Sequence, residues 1–397
     1  MLDPNYIEEL AEGAEYVSAD LHDAIINAIV ERITARLGRG EDYIFTPTDK
    51  WQIEVLEDAG YLAKDIQKEI AKRTGQQIKV IRKAYEDAAI EQAKYDTKTY
   101  QKAGIDVQTD ILQTPTYLRI LQADYERTVN AWENFTGTTL ARESYRLFIN
   151  ECNKAHTLVL SGAKGWSQAY MDAVDEISAN GVKVVYPTGH VDTVETATVR
   201  AIRTGVAQSC GKVTAVRAAE NGVHLMLTSA HAGARPTHEP WQGKVFWVDW
   251  NELAKRIHIR EDIKYSEATE EEKQKYDEFC RATDIGTVTG LEGANCRHSY
   301  GPYFEGMPNP YEGMKFDPDR YEKDQRARLL ERRIRKTKSA LQAYDTAQTA
   351  TTNPEALEKL KKEAKRKNNL LTRQINDYYT YCHANGIKPL ESRLYTA

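Results

Sequence analysis

Length, composition and charge limit what this chain can be. Its 397 residues fit two or three domains, and 41% hydrophobic with 28% charged residues is typical of a packed globular protein with a polar surface. The mean hydropathy of −0.64 argues against a transmembrane helix, which needs about 20 consecutive apolar residues. The start, Met-Leu-Asp-Pro, carries no basic stretch followed by an apolar one, so we expect no secretory signal. Five scattered cysteines indicate a reduced, cytosolic-type protein and not a disulfide framework.

The net charge of −5 is unevenly distributed. Residues 320–373 contain 16 Lys and Arg against 7 Asp and Glu, a net charge of +9, which leaves −14 for the rest of the chain. A basic segment on an acidic body can neutralise phosphates or an acidic partner surface. The alternative is a solvated Lys/Arg-rich helical hairpin, because no aromatic platform is interleaved with the charges. The candidate DNA-binding residues are Arg320, Lys323, Arg326, Arg328, Arg332, Arg333, Arg335, Lys336, Lys338, Lys359, Lys361, Lys362, Lys365, Arg366, Lys367 and Arg373.

The first 181 residues are predicted to be entirely helical. Asp3-Pro4 is a favourable helix start, because the N–H that proline lacks would be unbonded in the first turn. Apolar residues then recur at helical spacing from Ile7 to Leu37, and Gly38 ends that helix. Further predicted helices are a short one carrying Trp51, a set over 62–92 broken near Gly75, and helices at about 116–135, 138–161 and 165–180.

The hydrophobic period changes at Val182, where a compact α+β domain is predicted to begin. Short apolar runs bounded by turn residues are typical of strands. The predicted strands are 182–186, 223–228 and 244–248, the predicted helices are 191–221 and one that includes 270–281, and 285–288 is expected to be another short extended piece.

The remaining chain is predicted to be a turn-rich linker and a basic helical hairpin. The hairpin helices are expected at about 319–349 and 354–385, with Thr351-Thr352-Asn353-Pro354 as the turn. The predicted fold class is therefore α+β. It comprises a large N-terminal all-helical docking region (1–181), a small α+β domain with short strands (182–310), a linker (311–318) and the basic helical hairpin (319–397).

Two clusters about sixty residues apart carry the side chains most suited to chemistry. One runs from Ser229 to Lys244, and the other runs from Gly290 to Gly306. Both interleave polar side chains with glycines, which special backbone geometry requires. The motif residues are His231, Arg235, His238, Trp241, Gln242, Gly243, Asn295, Cys296, Arg297 and His298.

The first chemical hypothesis for these clusters is a metal site. Imidazole and thiolate ligands together suit zinc, which takes four ligands in a tetrahedron, so His231, His238, Cys296 and His298 are the candidates. Neither the seven-residue nor the two-residue spacing is that of a standard zinc finger or ribbon. The alternative, which we favour from the sequence, is that these polar groups brace loops by hydrogen bonding to buried backbone partners.

The second hypothesis is acid–base catalysis. His231 and His238 could act on a phosphate or acyl group held by Arg235. No Gly-rich phosphate loop, nucleophile elbow or paired acidic metal motif accompanies them in the sequence. We therefore expect no enzymatic activity and keep an enzyme that uses these residues with His298 as the alternative.

The two clusters together resemble a known protein family. The stretch Ser-Ala-His-x-Gly-Ala-Arg-Pro-x-His-x-x-Trp-Gln-Gly-Lys-Val, followed by Gly-Leu-x-Gly-x-Asn-Cys-Arg-His-Ser-x-x-Pro-Tyr, is similar to the phage minor capsid protein 2 family. That family more distantly resembles the Mu F-like head-morphogenesis proteins, which share a late Cys-Arg-Cys-like segment. Here His298 occupies the second cysteine position, so an inherited metal role would depend on a histidine substitute. The resemblance covers about residues 1–310, including Trp51-Gln52 in the stretch Thr-Pro-Thr-Asp-Lys-Trp-Gln.

The resemblance implies a structural protein of a tailed-phage head. The alternative is a head-carried enzyme or toxin-like effector that uses His231, Arg235, His238 and His298. The resemblance also implies several copies inside the head near the portal, assembled in the host cytoplasm. The expected partners are the portal protein and the major capsid or scaffolding protein, with double-stranded DNA as a further candidate and no membrane. It implies no cofactor, apart from the zinc that the His and Cys residues themselves suggest.

Overall fold

The computed structural model describes residues 1–107, 110–186, 188–260 and 268–394. Within these residues helices dominate and short strands form two small sheets, which confirms the predicted mostly helical α+β class. The helices are α1 (Pro4–Glu9), α2 (Glu12–Leu37), α3 (Glu41–Ile44), α4 (Thr48–Lys102), α5 (Pro115–Asn134), α6 (Ala141–Leu160), α7 (Trp166–Asn180), α8 (Val194–Glu220), α9 (Trp250–Arg256), α10 (Glu270–Thr283), α11 (Pro318–Ala350) and α12 (Pro354–Ala384). The strands are β1 (Lys183–Val185), β2 (Val191–Thr193), β3 (Leu225–Thr228), β4 (Val245–Trp247) and β5 (Tyr300–Pro302).

The chain divides into two compact units, each assembled from stretches that are distant in sequence. Unit 1 comprises Met1–Gly13, Ile78–Ala131 and Thr198–Asp324, and unit 2 comprises Ala14–Gln77, Trp132–Ala197 and Gln325–Ala397. The regions predicted from composition and periodicity differ from these units, because each is one continuous stretch of sequence. Their boundaries remain a prediction.

Unit 1 is organised around a three-stranded antiparallel sheet with the order β4-β3-β5. Met226 on the central strand lies opposite Phe246 on β4 and Pro302 on β5. The apolar core beside the sheet includes the fully buried side chains of Trp241, Trp250 and Phe279. Burying side chains of this size supplies much of the hydrophobic stabilisation of a small sheet.

Strand β5 was not predicted, because three residues containing Gly301 and Pro302 carry no strand signal. Both residues have a structural reason to be there. A Cβ at Gly301 would lie 2.8 Å from Cε1 of Tyr95, so only glycine lets the strand approach α4 this closely. The proline is tolerated because β5 pairs with β3 on one side only and forms an edge of the sheet.

Unit 2 contains α12 and the part of α11 from Gln325 onward, and the bounds of both hairpin helices match the sequence prediction to within one residue. Asn353 caps α12 by accepting a hydrogen bond from the N–H of Ala356, with Pro354 at the first helical position. The hairpin has an apolar seam that includes Ile334, Tyr378 and Cys382. It also packs within unit 2, because the Tyr344 hydroxyl donates to Asp175 of α7 at 2.8 Å.

Several predicted elements are corrected by the structure. Helix α4 runs unbroken through Gly75, because a single exposed glycine costs only about 1 kcal/mol and buried flanking residues hold the helix in place. The long first helix is instead two helices, α1 and α2. The predicted helix 191–221 begins with strand β2, which pairs with β1.

Two further predictions about local structure are also corrected. The expected break at Thr136-Gly137 is a π-helical segment, Phe135–Leu140, between α5 and α6. Residues 285–288 form a turn and not an extended piece, since Asp284 and Gly286 adopt positive φ values of 50° and 82°. Among the described residues, no helix combines the length and the apolar character needed to cross a membrane.

Candidate metal centre and basic surface

The two sequence clusters meet because of the strand order of unit 1. Strand β3 is antiparallel to both neighbours, so its C-terminal end lies beside the N-terminal ends of β4 and β5. The loop that leaves β3 and enters β4, and the loop that precedes β5, therefore reach the same edge of the sheet. His238 lies at the end of a 3₁₀ turn in the first loop, and Cys296 and His298 lie in the second.

His238, Cys296 and His298 bring their ligand atoms together in the buried interior of unit 1. The Nδ1 atoms of the two histidines are 3.3 Å apart. Cys296 Sγ lies 3.6 Å from His298 Nδ1 and 4.0 Å from His238 Nδ1. The three residues are at most 2% exposed. Two imidazoles and one thiol form a donor set that suits zinc.

The opposite ring nitrogen of each histidine faces an oxygen acceptor. His238 Nε2 lies 3.0 Å from the carbonyl oxygen of Thr289. His298 Nε2 lies 3.1 Å from Oε1 of Gln242, and that oxygen also accepts from the backbone N–H of His231 at 3.1 Å. Each Nε2 is thus the protonated nitrogen, and each Nδ1 carries the lone pair.

Burial dominates the electrostatics of the three groups. It lowers the pKa of His238 and lowers the pKa of His298 well below its ordinary value. The pKa of the Cys296 thiol is raised by burial to about 11. These directions disfavour every charged form of the three side chains when no cation is between them.

His231, the fourth predicted ligand, has a different place. Its Nδ1 lies 3.3 Å from Nη2 of Arg297, and its ring stacks on that of His298 with a centroid distance of 4.6 Å. Arg297 also forms an ion pair with Glu8 and a hydrogen bond with the carbonyl of Gly233. The structure therefore brings three of the four predicted ligands together and engages His231 with Arg297.

The other motif residues support the two loops. Arg235 donates to the carbonyl oxygen of Ala294, which links one loop to the other. Trp241 is buried and packs edge-on against His298 with a centroid distance of 4.7 Å. Gly243 and Asn295 take left-handed φ values of 68° and 57°, a region that glycine and asparagine tolerate best. These contacts lie directly beside the candidate ligands, and the bracing role of these residues remains a prediction.

The predicted DNA-binding residues fall into paired and unpaired cations. Examples of the paired ones are Lys359 with Glu355, Arg366 with Glu363 and Lys367 with Asp175. Other cations of the hairpin are exposed and make no hydrogen bond or ion pair with any residue that the structure describes. We call these the basic surface: Arg326, Arg332, Arg333 and Lys336 on α11, and Lys361, Lys362, Lys365 and Arg373 on α12.

A cavity of about 300 Å³ in unit 2 was not predicted from the sequence. It is lined by a partly buried ion pair between His22 and Glu195, whose Nδ1 and Oε1 atoms are 2.8 Å apart, and by Arg332 and Lys336 of the basic surface. The two members of the pair are 173 residues apart in sequence and belong to no motif, so no local signal could have connected them.

Comparison with known proteins identifies the family. The model of the family described as Phage minor capsid protein 2 matches residues 2–378, which include both clusters and the whole basic surface. No curated protein and no solved structure matches the chain. The match extends the resemblance seen in the two motifs to nearly the full chain. The chain therefore belongs to the phage minor capsid protein 2 family and is a structural protein of the phage virion.

Proposed function

We propose that this minor capsid protein lies inside the phage head near the portal and contacts packaged DNA through its basic surface. In this proposal it assembles in the host cytoplasm in several copies per head, and its other partners are the portal protein and the major capsid or scaffolding protein. The observation that carries the DNA contact is the set of exposed cations on α11 and α12 that form no ion pair with an acidic residue in the described part of the chain.

The spacing of these cations suits a phosphate backbone. Lys361 and Lys365 are one helical turn apart, about 6 Å along the axis, and Arg373 lies about 18 Å from Lys361 at 1.5 Å per residue. Double-stranded DNA carries one negative charge per about 1.7 Å of its axis. A helix with cations at these intervals can therefore contact several phosphates without reading base sequence.

The DNA contact is tested by the salt dependence of binding to duplex DNA of arbitrary sequence. We would compare the unaltered chain with a variant in which Lys361, Lys362, Lys365 and Arg373 are all changed to Gln. Each lost phosphate contact should reduce the slope of log K against log [salt] by about 0.9. The matched control changes four exposed lysines of α4 to Gln: Lys72, Lys79, Lys83 and Lys98.

We expect the α12 variant to bind DNA more weakly with a flatter salt slope, and the α4 control to bind as the unaltered chain does. Equal slopes for all three proteins would contradict the DNA contact. Substitution is preferable to removing the hairpin, because α11 and α12 contribute to the packing of unit 2.

The portal contact is tested separately by sedimentation with purified portal oligomers. We expect this chain to co-sediment with the portal at micromolar concentrations, and the α12 variant to do so equally well. A second arm of the experiment adds the major capsid or scaffolding protein. Failure of this chain to co-sediment with the portal in both arms would contradict the proposed position near the portal.

A further inference from the structure

We propose that His238, Cys296 and His298 bind one zinc ion in unit 1, through Nδ1, Sγ and Nδ1, with a non-protein ligand such as water in the fourth position. The site goes beyond the proposed function, since neither a portal contact nor a DNA contact requires a metal. It also revises the four-residue set suggested by the sequence, because His231 is left out.

The distances between the ligand atoms fit a tetrahedral zinc complex. Zn–N bonds of about 2.0 Å and Zn–S bonds of about 2.3 Å at tetrahedral angles place two nitrogens about 3.3 Å apart and a nitrogen and sulfur about 3.5 Å apart. The observed separations are 3.3 Å for the nitrogens and 3.6 Å and 4.0 Å for the sulfur. Shortening the 4.0 Å nitrogen–sulfur distance by about half an ångström would bring all three separations to tetrahedral values.

The hydrogen bonds of the two rings give a second, independent reason for a cation. Because Thr289 offers a carbonyl oxygen and Gln242 Oε1 already accepts from a backbone N–H, both Nε2 atoms act as donors. Two Nδ1 lone pairs then face each other at 3.3 Å inside the protein. The Cys296 thiol can donate its one proton to only one of these lone pairs. A proton between the rings would create a buried imidazolium, which is costly because no carboxylate among the described residues hydrogen-bonds to either ring. A zinc ion instead accepts both lone pairs.

The surroundings of the sulfur agree with a metal-bound thiolate. The backbone N–H of His298 points at Cys296 Sγ, with a nitrogen–sulfur distance of 3.4 Å. Oxygen acceptors on metal-ligating histidines and N–H donors on thiolates are the outer contacts that orient such ligands. When bound, the ion would tie the β3–β4 loop to the loop before β5, which is the junction that Arg235 and Ala294 also bridge.

The test is metal analysis of the full chain purified without chelators. We expect about one zinc per chain, and expect cobalt(II) exchanged into the protein to give the thiolate-to-metal charge-transfer band of a tetrahedral site. The variant Cys296→Ser should lose that band and most of the zinc. Two controls should keep both: Cys280→Ser, another buried cysteine of unit 1, and His231→Ala.

A second measurement remains decisive if Cys296→Ser does not fold. Treating the unaltered chain with a strong chelator should lower its melting temperature by several degrees, and zinc should restore it. Zinc content near zero together with no response to the chelator would overturn the proposal. Equal zinc in Cys296→Ser and the unaltered chain would also overturn it, and loss of zinc in His231→Ala would overturn the three-residue ligand set.

Discussion

His238 and His298 face each other with their Nδ1 atoms 3.3 Å apart, while the Nε2 atom of each ring lies against an oxygen acceptor. This relationship joins two loops that are sixty residues apart in sequence. The Thr289 carbonyl oxygen and Gln242 Oε1, which accept from the Nε2 atoms, are therefore part of the site together with the candidate ligands. The first prediction follows from the side-chain acceptor, Gln242.

Replacing Gln242 with Met should weaken zinc binding by about 10- to 100-fold, because the acceptor that orients His298 is lost while the side-chain volume is kept. Competition with a chromogenic chelator would measure the zinc affinity. The matched control is Gln208→Met, since Gln208 donates to the carbonyl of Glu292 in the same unit. Equal affinities for the two variants would argue that Gln242 does not position a metal ligand.

Two glycine substitutions should change stability in opposite directions. Gly301→Ala should destabilise the protein by about 1–3 kcal/mol, because the new Cβ would lie 2.8 Å from the Tyr95 ring in a packed region. Gly75→Ala should stabilise it by about 0.5–1 kcal/mol, since this exposed helical position has open space around it. Denaturant unfolding measures both. A stabilising Gly301→Ala would mean that β5 leaves room for a Cβ beside the Tyr95 ring of α4.

The buried pair of Lys212 and Asp124 should be costly to break from one side. Lys212 Nζ lies 3.0 Å from both carboxylate oxygens of Asp124, and both side chains are buried. We expect Lys212→Met to lower the free energy of unfolding by about 3 kcal/mol, because the buried carboxylate then keeps only the largely exposed Arg127, 2.8 Å away, as an ion-pair partner. The double variant with Asp124→Leu should recover part of this loss. A double variant no more stable than Lys212→Met would contradict the reasoning from the lost buried ion pair.

The ion pair of His22 and Glu195 should make the stability of unit 2 depend on pH. Burial opposes protonation of His22, but the Glu195 carboxylate outweighs it and the pKa of His22 is raised. Burial favours the neutral form of Glu195, but His22 outweighs it and lowers the pKa of Glu195 to about 2.

The sign of the effect follows from these two shifts. The His22 contribution is fully present below its unfolded pKa of 6.5 and is lost as pH rises through the higher folded pKa. The Glu195 contribution is present above 4.5 and is lost as pH falls toward about 2. Melting temperatures measured from pH 5 upward should therefore fall with pH in the unaltered chain and fall less in Glu195→Gln. Parallel curves for the two proteins would contradict the pairing.

Periodicity and capping residues were sufficient to predict the helices of the hairpin. Lys- and Arg-rich amphipathic patterns, the Asn353-Pro354 start and a turn of fixed length are local features, and the bounds agree closely. The sequence also indicated which residue types could bind a metal. It could not indicate that three of the four would meet, because that depends on the pairing of β3 with β5, a strand of three residues with no local signal.

Other differences have equally specific causes. Gly75 was predicted to break a helix, but tertiary packing outweighs a penalty of about 1 kcal/mol. His231 matched the residue type of a ligand, yet the ion-paired Arg297 engages its Nδ1. The cavity around His22 combines residues from three distant stretches of sequence, a relationship that no single-sequence pattern contains.

The most direct test of the account is the abundance of this chain in purified procapsids and mature virions, measured by quantitative mass spectrometry relative to the portal and major capsid proteins. A minor head protein near the portal should be present in both particles at a copy number comparable to that of the portal and far below that of the major capsid protein. Absence from both particles, or abundance equal to that of the major capsid protein, would contradict it.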